Sequence, residues 1–174
     1  YLNLLLALSA RRRNDERVCA RPFEVTIDLT TGCQLSCPYC AVGNGTMKRT
    51  HGLLKPDLHR RMMQELAGDL FVCWYFSTGE PLLNKHLGDI VAETRGKEIF
   101  SCISTNLSLP LTDARIDELL TCGLGCISVS LDGASSETYV QYRRGGQFDL
   151  VVGNMRRLVA RKRERGLRLP HIDW

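Results

Sequence analysis

The chain has 174 residues, of which 44% are hydrophobic, and a formal net charge of +4 from 23 basic and 19 acidic side chains. This length suits one domain with a sizeable core, and so mild a charge does not favour a nucleic acid partner. The longest early apolar run, residues 4–8, is too short to span a bilayer, and no stretch has the order of a secretory signal peptide. Eight cysteines in such a chain indicate metal binding or buried thiols rather than a disulfide framework.

Residues 1–23 are predicted to form a helical or linker segment before a core domain over residues 24–174. Strand-like runs then alternate with helical patterns. The strands are expected over residues 24–30, 71–76, 98–105 and 126–131, and the helices over residues 57–67, 87–94, 113–122 and 148–165. The alternation predicts parallel βα units, so the fold class is α/β and the architecture a partial TIM-like barrel of about four units. A new strand, the start of a fifth unit, is expected to begin at Leu169, just before the chain stops at Trp174. Because the chain also begins without methionine, we interpret it as an internal piece of a longer protein.

The first and fourth strands each place polar groups on one face. These groups are Glu24, Thr26, Asp28 and Thr30 on the first strand, and Ser128, Ser130 and Asp132 on the fourth. Strands of a parallel sheet that is covered on both faces are usually apolar throughout. The polar rows therefore indicate either a solvent face or, as we favour, a polar barrel lumen that holds a substrate.

A polar or glycine-bearing cluster follows each predicted strand. Cysteines at CxxxCxxC spacing follow the first, Gly79-Glu80 the second, Asn106 the third and Asp132-Gly133 the fourth. The carboxyl ends of barrel strands are where α/β barrels build their active sites. The sequence thus predicts one site assembled from all four clusters.

The three cysteines of that spacing are Cys33, Cys37 and Cys40. Three thiolates can bind three irons of a 4Fe-4S cluster and leave the fourth iron open to another ligand. The alternative is a structural zinc site with a fourth ligand such as Cys19 or Cys73, although the spacing is unusual for zinc.

The cysteine motif, with an aromatic residue before its last cysteine, resembles the signature of radical S-adenosylmethionine (radical SAM) enzymes. Further motifs follow in the family's order: STGEP at 77–81 is similar to GGEP, STN at 104–106 to STNG, and SLDG at 130–133 to SLDG. YRRGG at 142–146 resembles the branch with a C-terminal auxiliary-cluster domain of SPASM or twitch type. Thr78 and Leu107 replace family glycines, and Leu107 is expected to alter loop shape or substrate access.

The resemblance implies two cofactors, a 4Fe-4S cluster bound by the three cysteines and S-adenosylmethionine (SAM). Gly79 and Glu80 would meet the amino group of SAM, because glycine allows close approach and glutamate accepts from an ammonium. Arg143 would pair with its carboxylate, with Arg144 as the neighbouring alternative.

Three more residues have implied contacts with SAM. Ser130 would bind the ribose or the carboxylate. Tyr39 would lie beside the adenine, mainly through its backbone, or else belong to the core. Asn106 would contact SAM or substrate, or else serve only as a turn former.

Asp28 is a candidate for a substrate-contacting or proton-handling group, with a salt-bridged aspartate as the alternative. The remaining cysteines, apart from Cys19, fall in strands or at a helix end, where free cysteine packs as a small apolar residue. These are Cys73, Cys102, Cys122 and Cys126.

The function implied is reductive cleavage of SAM to a 5′-deoxyadenosyl radical, which abstracts hydrogen from a peptide or small-molecule substrate. Such an enzyme needs an external electron donor of flavodoxin or ferredoxin type, and a reducing setting indicates the cytoplasm. The alternative is an iron–sulfur electron-transfer or structural metal-binding module without SAM chemistry.

Overall fold

The computed structural model describes residues 2–174; Tyr1, the first residue of the predicted 1–23 segment, lies outside them. Its strands are β1 Glu24–Thr26, β2 Val72–Trp74, β3 Phe100–Thr105, β4 Cys126–Val129 and β5 His171–Asp173. Its helices are α1 Leu2–Arg13, α2 Pro56–Leu66, α3 Leu87–Ala92, α4 Asp113–Thr121, α5 Ser136–Tyr142 and α6 Phe148–Glu164, with a short 3₁₀ helix at Pro81–Leu83. No helix among residues 2–174 is long and apolar enough to cross a membrane.

The five strands form one open sheet in the order β1-β2-β3-β4-β5, and every neighbouring pair is parallel. This confirms the predicted α/β class with four βα units and the start of a fifth. Thr112 caps α4 by accepting from the backbone N–H of Arg115 at 3.2 Å, as a threonine at that position should.

The strands are shorter than the sequence predicts. β1 ends at Thr26, although Ile27 still donates its N–H to the Trp74 carbonyl at 2.8 Å. Beyond it, Thr30 makes an isolated antiparallel bridge with Leu53 outside the sheet. The pattern of alternating residues continues past the point where the ladder ends, so pattern alone extends the strand too far.

Helix α5 is not among the helices that the sequence pattern predicts. A capping box starts it: the Ser135 side chain accepts from the Thr138 N–H, and the Thr138 side chain accepts from the Ser135 N–H. Tyr139 of α5 is fully buried and packs near Phe148 at the start of α6, with 5.9 Å between the ring centroids.

The apolar residues of the strands face the helices and form the core. Ile27, Leu29, Ile103, Ile127 and Val129 are buried there, and the alternate positions Ser104, Ser128 and Ser130 lie on the other face, only partly buried. The first and fourth strands therefore have one apolar face, which packs in the core, and one polar face, as their alternating sequences predict.

The cysteines outside the motif behave as small core residues. Cys73, Cys102, Cys122 and Cys126 are buried free thiols, as predicted, whereas Cys19 is exposed. Burial raises the pKa of Cys73 and of Cys122 to about 11, so these thiols stay neutral.

Candidate active site

A cavity of about 200 Å³ opens at the carboxyl ends of the strands. It is lined by all the predicted site residues except Tyr39 and Asp28, namely Cys33, Cys37, Cys40, Gly79, Glu80, Asn106, Ser130 and Arg143. The clusters that follow β1, β2 and β3 thus meet at one place, as parallel strands require. After β4 it is Ser130 that lines the cavity, and Asp132 of the fourth cluster contacts it only through Arg143.

The cysteine loop is tied to the segment after α5. The Ser36 N–H donates to the Arg144 carbonyl at 2.9 Å. Gly43 packs against the loop from the other side, since a Cβ there would lie 2.6 Å from the Cys37 nitrogen. These contacts fix the backbone between the first and second cysteines.

Two of the cysteine sulfurs have hydrogen-bond donors. Cys33 Sγ accepts from the Leu35 N–H at 3.4 Å and from Asn106 Nδ2 at 3.6 Å. Arg143 Nη1 lies 3.9 Å from Cys37 Sγ. Such donors stabilise thiolate over thiol, although burial, the largest influence, raises the pKa of Cys33.

Gly79 joins the cysteine loop to the loop after β2. Its φ is +77°, in the left-handed region, and a Cβ would overlap the Thr30 carbonyl oxygen and lie 2.8 Å from that of Gly32. The neighbouring Glu80 N–H donates to the same Gly32 carbonyl at 2.8 Å. The close approach that excludes a side chain here is to the backbone after β1.

The carboxylate of Glu80 is almost completely buried and links three segments. Oε1 accepts from the Leu82 N–H at 3.0 Å and from Thr105 Oγ1 at 2.6 Å, and Oε2 accepts from the Asn106 N–H at 2.8 Å. Burial raises the pKa of Glu80, and these donors oppose the rise. Oε2, with one donor, retains an acceptor site at the cavity wall.

Asn106 points its side chain at the cysteine loop. Its Oδ1 accepts from Gln34 Nε2 at 2.8 Å and from the Ser108 N–H at 2.9 Å. Leu107, which replaces a family glycine, adopts φ +53° and buries its side chain completely. Leu107 therefore keeps a left-handed backbone and faces the core, so its side chain does not line the cavity.

Arg143 lies between the cysteines and the loop after β4. Its Nε donates to Asp132 Oδ2 at 2.6 Å, and its Nη2 forms an ion pair with the same oxygen. Arg144, the alternative, is exposed, so of the two only Arg143 reaches the cavity. Ser130 Oγ lies 3.1 Å from Ser104 Oγ on the same wall.

Tyr39 does not line the cavity. Its side chain is 87% exposed, and its ring stacks on Tyr142 with 6.3 Å between centroids. Tyr142 does line the cavity, and Arg143 lies over its ring at 5.4 Å. The core alternative for Tyr39 is thereby excluded.

Asp28 lies beside the cavity in an ion pair. It accepts from the Thr78 N–H at 2.8 Å, from Thr78 Oγ1 at 2.7 Å and from Arg49 Nη2 at 3.1 Å. Although burial raises its pKa, these bonds outweigh burial and lower it below the usual range. The geometry agrees with the alternative that Asp28 is a salt-bridged aspartate. Thr78, which stands where the family motif has a glycine, supplies two of its hydrogen bonds.

Several cavity residues were not singled out from the sequence as site residues. They are Leu35, Gly43, Phe76, Ser77, Ser104 and Tyr142. Ser104 occupies an alternate position on the polar side of β3, so the period of two could have identified it; Phe76 lies just beyond β2, in an apolar run that gives no such signal. Tyr142 begins the YRRGG motif, so the motif could have identified it.

The donor set fits an iron–sulfur cluster. Three free thiols surround one cavity, and N–H groups reach two of the sulfurs. No three Cys, His, Asp or Glu side chains among residues 2–174 converge closely enough for a single metal ion. In an iron–sulfur cluster each iron takes its own thiolate, so the three sulfurs do not have to converge on one ion.

Comparisons with known proteins point the same way. A family model described as the radical SAM superfamily matches residues 27–169. The chain is 30% identical over 149 residues to a PqqA peptide cyclase of Rhodopseudomonas palustris, covering 86% of this chain and 38% of that protein. It is 31% identical over 145 residues to a GTP 3',8-cyclase of Corynebacterium glutamicum, covering 79% and 38%. The chain therefore spans little more than a third of the length of these relatives.

Solved structures share the fold. SuiB of Streptococcus suis bound to the precursor peptide SuiA superposes with a TM-score of 0.69 at 15% identity, covering 89% of this chain and 34% of that one. BtrN in complex with AdoMet and 2-DOIA gives a TM-score of 0.63 at 22% identity, covering 87% and 56%.

Proposed function

The chain belongs to the radical SAM superfamily, and we propose that it is the core of an enzyme of the SPASM or twitch branch that cleaves SAM reductively. One observation carries the proposal: the three cysteines share a cavity with Gly79, Glu80, Asn106, Ser130 and Arg143. When bound, the cluster and SAM would supply a 5′-deoxyadenosyl radical that abstracts hydrogen from the substrate.

Cys33, Cys37 and Cys40 are the proposed cluster ligands. The backbone between Cys33 and Cys37 is fixed by the Ser36 bond to the Arg144 carbonyl and by the packing of Gly43, so less of this loop has to be ordered when the cluster binds. A preorganised ligand set loses less conformational entropy on binding.

Glu80 and Arg143 are the proposed charged contacts of the SAM amino acid group. Oε2 of Glu80 has room for one more donor, which suits an ammonium. Arg143 is held by Asp132, so its guanidinium already faces the cavity before a carboxylate arrives. Gly79 acts by bringing Glu80 against the cysteine loop.

The rest of the cavity wall is proposed to receive the nucleoside. Ser130 and Ser104 offer hydroxyl groups for the ribose. Tyr142 is proposed to close the cavity wall beside the adenine; its ring is already stacked on Tyr39 and covered by Arg143, so it does not stack on the base. Asp28, held as an anion by Thr78 and Arg49, is proposed to order the cavity rim rather than to move a proton.

The substrate is proposed to be a peptide or a small molecule. Among the similar proteins one is named a peptide cyclase and another is a complex with a precursor peptide, which favours a peptide. The electron would come from an external donor of flavodoxin or ferredoxin type, and a reducing cytoplasm is the setting that suits the cluster.

The competing function is an electron carrier without SAM chemistry. A carrier has no use for an acidic acceptor and a guanidinium facing the same cavity as its cluster, so Glu80 and Arg143 favour the enzyme.

Electron paramagnetic resonance on the anaerobically reconstituted, reduced chain, with and without SAM, tests the proposal. We expect a 4Fe-4S signal that changes when SAM is added, together with 5′-deoxyadenosine in the reaction mixture. A cluster signal indifferent to saturating SAM would refute the enzyme and favour the carrier.

A further inference from the structure

The side chain of Asn106 is oriented by its hydrogen bonds. A carbonyl oxygen has two acceptor sites, and both sites of Oδ1 are taken, by Gln34 Nε2 at 2.8 Å and the Ser108 N–H at 2.9 Å. The amide nitrogen, with its two N–H groups, therefore lies on the other side of the amide, where it donates to Cys33 Sγ at 3.6 Å and to Gln34 Oε1 at 3.5 Å. Asn106 is only 4% exposed, so water does not compete for this donor.

Gln34 is in turn oriented by two acceptors. Its Nε2 donates to Asn106 Oδ1 and to the Ser108 carbonyl at 3.2 Å. Its Oε1 accepts from Asn106 Nδ2 at 3.5 Å and from the Cys33 thiol at 3.7 Å, and the second contact is lost once Cys33 is a thiolate ligand. The two amides are thus paired side by side above the first cysteine of the motif.

The paired amides influence how much negative charge the Cys33 sulfur can carry as a ligand. An N–H group that donates to a ligating sulfur stabilises negative charge on the cluster, and reduction adds negative charge. Losing such a donor therefore disfavours the reduced state. Partners outside the ligand shell commonly tune a metal centre in this way.

We propose that Gln34 is a positioning residue that keeps the Asn106 N–H on Cys33 and thereby raises the reduction potential of the cluster. The inference rests on the proposed function, since it needs a cluster at the three cysteines. Gln34 does not line the cavity, so it acts through Asn106 rather than on SAM or substrate.

The test replaces Gln34 by methionine, which has a similar length and neither donor nor acceptor of comparable strength. Gln64, exposed on α2, provides the matched control Gln64→Met. Each anaerobically reconstituted chain is titrated with a chemical reductant while the reduced cluster is followed by electron paramagnetic resonance. For Gln34→Met we expect unchanged iron content and a midpoint shifted to more negative potential. At the wild-type midpoint, the ratio of reduced to oxidised cluster should fall roughly threefold or more.

The outcomes separate this inference from the function it rests on. A Gln34→Met midpoint equal to those of the wild type and Gln64→Met overturns it. So does selective loss of the cluster in Gln34→Met, because the glutamine would then be needed for assembly and not for the potential. A wild-type chain that takes up no 4Fe-4S cluster refutes the proposed function itself and the inference with it.

Discussion

The guanidinium of Arg143 reaches across the cavity wall to Cys37, with 3.9 Å between Nη1 and Sγ. The two residues are 106 positions apart in the sequence, and the ion pair of Arg143 with Asp132 holds the arginine in place. A single side chain therefore connects the proposed cluster ligands with the proposed carboxylate site of SAM.

Arg143→Lys should weaken SAM binding roughly tenfold while the cluster content stays unchanged. Lysine keeps the positive charge but lacks the planar fork that can contact Asp132 and a carboxylate together. A SAM titration followed by electron paramagnetic resonance measures the change. Arg144→Lys is the matched control, because the exposed neighbour should leave the affinity as it is. Equal affinities in both variants would remove Arg143 from the SAM site.

Cys37→Ala should abolish the 4Fe-4S chromophore. Two thiolates cannot bind three irons, and the buried position gives no access to a replacement ligand. Iron analysis and the visible absorption of the reconstituted chain report the loss. Cys19→Ala removes an exposed cysteine and should leave both unchanged. A full cluster in Cys37→Ala would refute the ligand assignment.

Much of the site could be predicted because its residues follow strands. Parallel strands bring their carboxyl ends to one edge, so the cysteines, Glu80, Asn106 and Ser130 had to lie near one another once the βα order was known. The burial of Cys73, Cys102 and Cys126 follows from their places in strands, and that of Cys122 from its place at the end of α4.

The contacts that orient those residues could not be predicted. Glu80 accepts from residues 2, 25 and 26 positions away, and Asn154 of α6 donates to the carbonyls of Leu107 and Leu109. Such partners depend on how the loops cross, which no local pattern encodes. Gly79 illustrates the difference between what the sequence predicts and what the fold adds. The motif predicts a functional glycine here, and only the fold shows that the Thr30 carbonyl excludes a side chain.

His59 should make the fold sensitive to acid. The ring is fully buried, with Nε2 2.8 Å from Tyr75 Oη, and burial lowers its pKa from 6.5 to about 4. The unfolded state therefore binds the proton more tightly, so stability is full above pH 6.5 and falls as the pH drops toward 4. The loss should reach roughly 2–3 kcal/mol of unfolding free energy.

Urea unfolding of the wild type and of His59→Gln between pH 7 and pH 4 isolates this contribution, because glutamine keeps a hydrogen-bonding group but does not titrate. The difference in unfolding free energy between the two should shrink as the pH falls. A difference that is constant over the range would show that His59 is not the source.

Gly79→Ala should destabilise the fold and disrupt the cavity. Gly96 offers a closely matched control, because it has the same φ of +77° and no atom within 4 Å of where a Cβ would lie. Both substitutions force a left-handed residue, at about 1–2 kcal/mol each. Only at Gly79 does the new methyl group also meet the carbonyls of Thr30 and Gly32, and such overlap costs about 1–3 kcal/mol more.

The free energy of unfolding from urea titrations of both variants measures the excess. We expect a greater loss for Gly79→Ala than for Gly96→Ala, and reduced cluster uptake in Gly79→Ala alone, because Glu80 and the cysteine loop would be pushed apart. Equal losses in the two variants, with full cluster uptake in both, would mean that the loop after β2 moves freely and that Gly79 does not fix it against the cysteines.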